Sequence, residues 1–256
     1  MEIQLIRNAT MKITYAGRTI LTDPMLSTKG EFRSFAGIAQ NPTVDLPISV
    51  EEILSGVDFV VVSHNHPDHI DPTAVAALPK ATPVLCQPVD ERHLMDQGFL
   101  SVKPIETSHV WEGITITRTG GMHGTGEILE LMGQVSGFVF QAPDEPTVYW
   151  VGDSVLCEPV ADIISSFTPD IIITHSGGAR IPGYNIIVMD AEQTIKTAQA
   201  APKAVIVAVH LESLDHCEIS RDALRRMADQ TSISPSRLVI PADGETVKFR
   251  ADGSLI

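Results

Sequence analysis

Between residues 2 and 22 apolar and polar positions alternate. Ile3 and Leu5, then Met11, Ile13 and Tyr15, are spaced by polar residues, Ala16-Gly17-Arg18 supplies a turn, and Thr19-Ile20-Leu21-Thr22 follows. A period of two sets one face of each segment on a core, which predicts a β-meander ending at Asp23-Pro24. Farther on the pattern changes. Short runs rich in β-branched and aromatic residues (Phe59-Val60-Val61-Val62, Pro83-Val84-Leu85-Cys86, residues 135–140 and 147–151, Ile171-Ile172-Ile173, residues 204–209) have no polar face. Such runs read as strands buried on both sides, the habit of sheets covered by helices. Helices fit between them: residues 51–54, 73–78 behind Asp71 and Pro72, 90–95 behind Asp90, 191–201 behind Asp190, and 220–229 behind Ser220. Residues 99–105 and 111–119 read as strands with a turn between them, and 239–249 as a closing strand pair around Asp243-Gly244. With no repeat, low-complexity tract or linker, this predicts one α/β domain over residues 1–256. Residues 26–50 stand apart as an irregular stretch rich in Gly, Ser and Pro. A stretch of that length inside a compact domain serves as a lid, as a contact between copies of the chain, or as a mobile surface loop.

The chemistry gathers where apolar runs end. Phe59–Val62 leads directly into Ser63-His64-Asn65-His66-Pro67-Asp68-His69, so of 9 histidines in 256 residues three fall in one loop beside an aspartate. Pro67 biases His66 to an extended backbone, and Asp71-Pro72 starts a helix just beyond, so the donors sit on a strand-to-helix loop. Imidazole and carboxylate together suit zinc, or the somewhat harder manganese or iron. Other strand ends repeat the motif more weakly: His123 among glycines, Asp153 after Gly152, His175 after Thr174 and His210 after Val209. Taken alone, each reads equally well as an ordinary polar turn residue.

His64-Asn65-His66-Pro67-Asp68-His69 resembles the His-x-His-x-Asp-His signature of the metallo-β-lactamase fold superfamily. Its flanks are similar to the branch holding ascorbate-6-phosphate lactonases and N-acylphosphatidylethanolamine phospholipase D. The resemblance implies a four-layer αββα sandwich with its site on the edge where two sheets meet. It implies one metal on His64, His66 and His123, a second on Asp68, His69 and His210, and Asp153 bridging them. The cofactors would be two divalent ions, zinc first and manganese or iron as alternatives. Asp23, in Thr-Asp-Pro, would brace the metal loop from behind. Asp68 would relay a proton, and His175 would either do so or support the ligands. The activity implied is hydrolysis of a small ester, lactone or phosphodiester by a metal-activated hydroxide. Two positions depart from the branch: Pro67 stands where an aromatic residue is frequent, and Asn8 where a histidine is. His93 reads as a helix-surface residue, His109 as structural, and His216 as a turn residue with substrate contact as the alternative.

Composition narrows the partners. A net charge of −14 opposes phosphate backbones and anionic membranes, so the expected partner is a small molecule and not nucleic acid or membrane. An RNA-processing nuclease is the alternative this charge disfavours; a non-catalytic metal-dependent binding protein of the same fold is the other. A diiron oxidoreductase would carry a carboxylate in place of one early histidine and a fused flavin domain, neither of which is seen here. Cys86, Cys157 and Cys217 are odd in number and far apart, which fits free thiols in a reducing compartment better than a disulfide framework. The start lacks the apolar core of a signal peptide and no run reaches membrane-spanning length, so the expectation is a cytoplasmic protein. The same features argue against dedicated β-lactam hydrolysis.

Overall fold

The computed structural model describes residues 1–256. Its first half runs β1 (Glu2–Arg7), β2 (Thr10–Tyr15), β3 (Arg18–Thr22), α1 (Val50–Leu54), β4 (Phe59–Val62), α2 (Pro72–Ala77), β5 (Val84–Cys86), α3 (Glu91–Asp96) and β6 (Val102–Pro104). The second half runs β7 (Ser108–Trp111), β8 (Ile114–Gly120), α4 (Ile128–Met132), β9 (Ser136–Gln141), β10 (Val148–Trp150), α5 (Glu158–Phe167), β11 (Ile171–His175), α6 (Ala191–Ala200), β12 (Val205–Val209), α7 (Arg221–Gln230), β13 (Leu238–Val239) and β14 (Thr246–Lys248). Two 7-stranded sheets result, ordered β14-β1-β2-β3-β4-β5-β6 and β13-β12-β11-β10-β9-β8-β7.

The apolar runs explain the layering. Along β4, Phe59 and Val61 enter a central core between the sheets, while Val60 and Val62 enter an outer core under the first-half helices. Along β12, Val205, Val207 and Val209 face the centre, while Ile206 and Ala208 face α5, α6 and α7. A strand serving two cores has no position free for a polar residue, which is why these runs are continuous. Three apolar cores separate four layers, and the fold is the αββα sandwich of the metallo-β-lactamase type. No helix is long and apolar enough to cross a membrane.

Strand direction fixes where the chemistry collects. β3, β4 and β5 are parallel, and β1 runs the same way because β2 is antiparallel to both β1 and β3. In the second sheet β10, β11 and β12 are parallel, and β8 joins them because β9 is antiparallel to both β8 and β10. The residues that follow these strands, Asn8, Asp23, His64 to His69, His123, Asp153 and His210, therefore share one edge of the sandwich. His175 closes β11 at that same edge.

Three local expectations need correction. The strand pair expected over residues 239–249 is split: β13 edges the second sheet, while β14 crosses over to pair with β1. The turn expected around Ser108–Trp111 is a strand that pairs antiparallel with β8. Asp90 does not cap α3; it lies in a single 3-10 turn and accepts from Gln87 instead. The helices α4 and α5 were not legible because neither begins on a residue whose side chain caps it. Asp71, Asp190 and Ser220 do cap α2, α6 and α7, accepting from the backbone N–H of Ala74, Gln193 and Ala223.

Candidate metal centre

The sandwich edge holds two clusters of donor atoms, His64 with His66 and His123, and Asp68 with His69, Asp153 and His210. Within each, the ligand atoms lie within 4.8 Å of one another. Asp153 touches both. Its Oδ2 is 3.2 Å from His69 Nε2, 3.4 Å from His123 Nε2 and 4.0 Å from His64 Nε2, and its Oδ1 is 3.6 Å from His210 Nε2. Asp68 Oδ2 lies 3.4 Å from His69 Nε2 and 3.3 Å from His210 Nε2. Gly152 makes the turn that delivers Asp153, at φ 71° with Ser136 O where a Cβ would stand 2.5 Å away.

The outer ring nitrogens are tied down, which aims the inner ones. His69 Nδ1 meets Asp23 Oδ2 at 2.6 Å, His64 Nδ1 meets Ser63 Oγ at 2.9 Å, and His123 Nδ1 meets the Ile187 carbonyl at 2.9 Å. His210 Nδ1 lies 3.5 Å from Cys217 Sγ. Asp23 also accepts from Ser63 N at 2.7 Å and Ser63 Oγ at 2.6 Å, so one fully buried carboxylate braces both ends of the histidine loop. Anchoring of this kind fixes ring orientation and tautomer in metal sites.

Asn8 repays attention as the residue that departs from the family pattern. Its Nδ2 donates to the Asp68 carbonyl and its own carbonyl accepts from His210 N, both at 3.0 Å, so it links the first-sheet loop to the end of β12. Asn8, Asp23 and His210 all adopt left-handed backbone, with φ of 58°, 35° and 60°. Such conformations cost roughly 1–3 kcal/mol each and persist where the surroundings dictate them.

His175 sits behind the donors, fully buried and outside the walls of the adjoining cavity. Trp150 Nε1 donates to its Nε2 at 2.9 Å, and an indole only donates, so that nitrogen is the acceptor. Nδ1 then carries the proton and donates to Asp153 Oδ1 at 2.5 Å. Of the two roles the sequence left open, this geometry matches support of Asp153. His93 lies exposed on α3, His109 lies on β7 near Trp111, and neither joins the clusters.

The charges at the site pull in opposite directions. Burial disfavours a charge on His69, yet Asp153, Asp68 and Asp23 outweigh it and hold its pKa well above the ordinary value. Burial likewise opposes a charge on His210, and Asp153, Cys217 and Asp68 overrule it. His64 goes the other way, held well down by burial and by His69 and His66, and burial lowers His123 to about 4. Asp68 and Asp153 stay ionised: burial would raise both, but His69 and His210 dominate.

The donor set fits a divalent cation. His210 Nε2 is buried and makes no hydrogen bond of acceptable geometry despite two nearby carboxylates, an orphan of the sort a cation satisfies. Neutral imidazole nitrogens and carboxylate oxygens on preset rings are the ligands zinc, manganese and iron take. A cavity of about 450 Å³ opens on the clusters, with His66, Asp68, His123 and Asp153 at its floor. Its walls include Phe35, Pro67, Met132, Ile181 and Ile187, with Arg33, Ser34 and His216 as the polar members. Sequence reasoning left Phe35, Ser34 and Arg33 unassigned within the irregular stretch, and no local motif marks them.

Comparison with known proteins gives the family. Residues 18–211 match the model of the beta-lactamase superfamily domain. The chain is 37% identical over 255 residues to the UPF0173 protein YddR of Bacillus subtilis, covering 97% of this chain and 100% of that one. Among solved structures it is similar to a "possible metal-dependent hydrolase" from Veillonella parvula, with TM-score 0.93, 38% identity and coverage of 96% and 98% of the two chains. It is also similar to the isothiocyanate hydrolase from Delia radicum gut bacteria, with TM-score 0.93, 37% identity and coverage of 98% and 100%.

Proposed function

Because the chain belongs to the beta-lactamase superfamily domain family and is a metal-dependent hydrolase of that fold, we propose that it hydrolyses a small uncharged electrophile, with an organic isothiocyanate as the leading class. The observation that carries this reading is the cavity: largely carbon walls opening directly on two clusters of imidazole and carboxylate donors. Likeness over the full length of an isothiocyanate hydrolase supports the choice of substrate.

In this reading His64, His66 and His123 would hold one cation, Asp68, His69 and His210 would hold another, and Asp153 lies within reach of both donor sets. Such cations, when bound, supply Lewis acidity that brings water's pKa toward neutrality and polarises the substrate. The protein's own share is orientation and proton transfer. Asp23 and Ser63 lock the histidine loop, and His175, itself held by Trp150, fixes Asp153. Phe35, Pro67, Met132, Ile181 and Ile187 keep bulk water from the substrate's substituent. Asp68 turns Oδ2 toward His69 and His210 and lines the cavity, so its other oxygen is free to carry a proton from water to the leaving nitrogen. The balance is one water consumed: its oxygen bonds to the central carbon, the carbon–nitrogen bond breaks, and both protons end on nitrogen, giving an amine and carbonyl sulfide.

A small ester, lactone or phosphodiester is the second reading, favoured by Arg33, whose guanidinium on the same wall could meet substrate oxygens. The test is turnover by protein reconstituted with zinc, manganese or iron, offered benzyl isothiocyanate beside a lactone, an ester and a phosphodiester. Amine release that disappears in His66→Ala, together with lost metal, is expected. Turnover confined to the lactone, ester or phosphodiester would move the assignment to the second reading, and bound metal with no turnover at all would leave a binding protein.

A further inference from the structure

One part of the cavity wall is not part of the sandwich. It comes from residues 33–35, in the irregular stretch between β3 and α1, and this stretch is fastened by one carboxylate from the far end of the chain. Asp215 Oδ1 accepts from Phe35 N at 2.9 Å and Asn41 Nδ2 at 2.8 Å. Asp215 Oδ2 accepts from Ser34 Oγ and from the backbone N–H of Ala36, Ile38 and Ala39 at 3.1–3.3 Å. In return Asp215 N donates to Asn41 Oδ1 at 2.9 Å, and Thr43 N donates to the Ser213 carbonyl at 2.9 Å. Few backbone bonds within the stretch replace these; Phe32 and Asn41 pair with each other, and little else is regular. Burial would raise the Asp215 carboxyl, but Ser34, Phe35, Asn41 and Ile38 outweigh it, so the anchor stays ionised far below neutral pH.

The consequence reaches the cavity through the next residue. His216 stands on the wall with its ring edge-on to Phe35, centroids 5.0 Å apart at 85°. That ring makes no hydrogen bond, and its Nδ1 is enclosed without a partner, so packing against Phe35 and His210 is what positions it. Both rings therefore depend on the Asp215 clasp: Phe35 through its backbone N–H, His216 through the chain.

We propose that Asp215 is a specificity-determining positioning residue: it clasps residues 34–39 over the donor clusters so that Phe35 and His216 form an aromatic wall for a flat, apolar substituent of the substrate. The proposal rests on the reading of this cavity as the substrate site. It goes further in assigning selectivity among substrates of different substituent to a clasp that touches neither metal ligands nor reacting atoms. An aryl substituent gains edge and face contacts there that a methyl group cannot make.

The test uses zinc-loaded protein and two chelating probes that differ by one ring, phenylacetohydroxamate and acetohydroxamate, titrated by calorimetry. Wild type is expected to bind the phenyl probe at least about tenfold more tightly, within the range a pocket gains from added apolar groups. Phe35→Ala and Asp215→Ala are both expected to bring that ratio to about twofold or less, with zinc content unchanged. Amide hydrogen exchange, which needs no probe, should speed up at Phe35, Ile38 and Ala39 in Asp215→Ala and stay at the wild-type rate in Phe35→Ala. A wild-type ratio near one, variants that keep the ratio, or unchanged exchange in Asp215→Ala overturns the proposal. Because neither probe is hydrolysed, a failure to turn over isothiocyanates would sink the substrate assignment while leaving this result standing.

Discussion

At the scale of single residues the centre depends on groups that never touch substrate. Asp23 is fully buried and satisfies His69 and Ser63 at once. Removing it frees His69 to rotate and leaves Ser63 N without its partner. Asp23→Ala should therefore weaken metal binding about 10–100-fold, the usual cost of losing a group behind a ligand, as a zinc competition assay with a chromophoric chelator would read. Unchanged affinity would mean the ring is held by packing alone. The residues that gather in the two donor clusters were legible because the histidine loop concentrates rare residues in one place, and family resemblance then picked out His123, Asp153 and His210 from strand ends that look bland in isolation. Phe35 and Asp215 were not legible. The contact that joins them links residues 180 positions apart, and nothing in either local sequence announces it.

At the scale of elements, the site exists because β1, β3, β4, β8, β10, β11 and β12 all point their C-terminal ends at one edge, and close backbone packing holds those ends in register. β11 and β12 pair in parallel along their whole length, Ile171 to Val205 through His175 to Val209. Just beyond, a Cβ on Gly177 would run into the His210 carbonyl oxygen and lie 2.9 Å from Cys217 Sγ. The clash with backbone cannot be relieved by a rotamer. Gly177→Ala should force the His210 peptide outward, lowering both thermal stability and the affinity of the Asp68, His69, His210 cluster, measured by thermal melts with and without zinc. A variant that melts at the wild-type temperature and retains full zinc binding would show that the loop adjusts freely. The same scale shows why strands were read better than helices that lack a capping side chain. A run that feeds two cores has to be continuously apolar, whereas α4 and α5 start without a capping side chain, and β14 takes its place only through pairing with β1 at the opposite end of the chain.

At the scale of the molecule, the clusters couple metal, protons and stability. In metal-stripped protein His69 and His210 have pKa values raised well above the usual 6.5, so their charged forms stabilise the fold fully below about 6.5, and that contribution fades as pH rises through the raised values. Asp68 and Asp153 are depressed below 3.8, so their contribution is present above that value and is lost as pH falls through the lowered ones. A cation needs neutral imidazoles, so loading must expel the protons of His69 and His210, while His123, already near 4, has none to give at neutral pH. Zinc binding at pH 7 should release protons, seen as a calorimetric enthalpy that varies with the buffer's ionisation heat, and the gap in Tm between loaded and stripped protein should widen from pH 6 to pH 9. Buffer-independent enthalpies would refute this assignment of charge.

The proposed chemistry requires that loops from two sheets enclose a pair of cations. Anomalous diffraction from crystals of the zinc-loaded protein, recorded on either side of the zinc edge, tests that most directly. Two peaks are expected, one among His64, His66 and His123 and one among Asp68, His69 and His210, with Asp153 reaching both. A single peak, or zinc seated away from Asp153, would contradict the account.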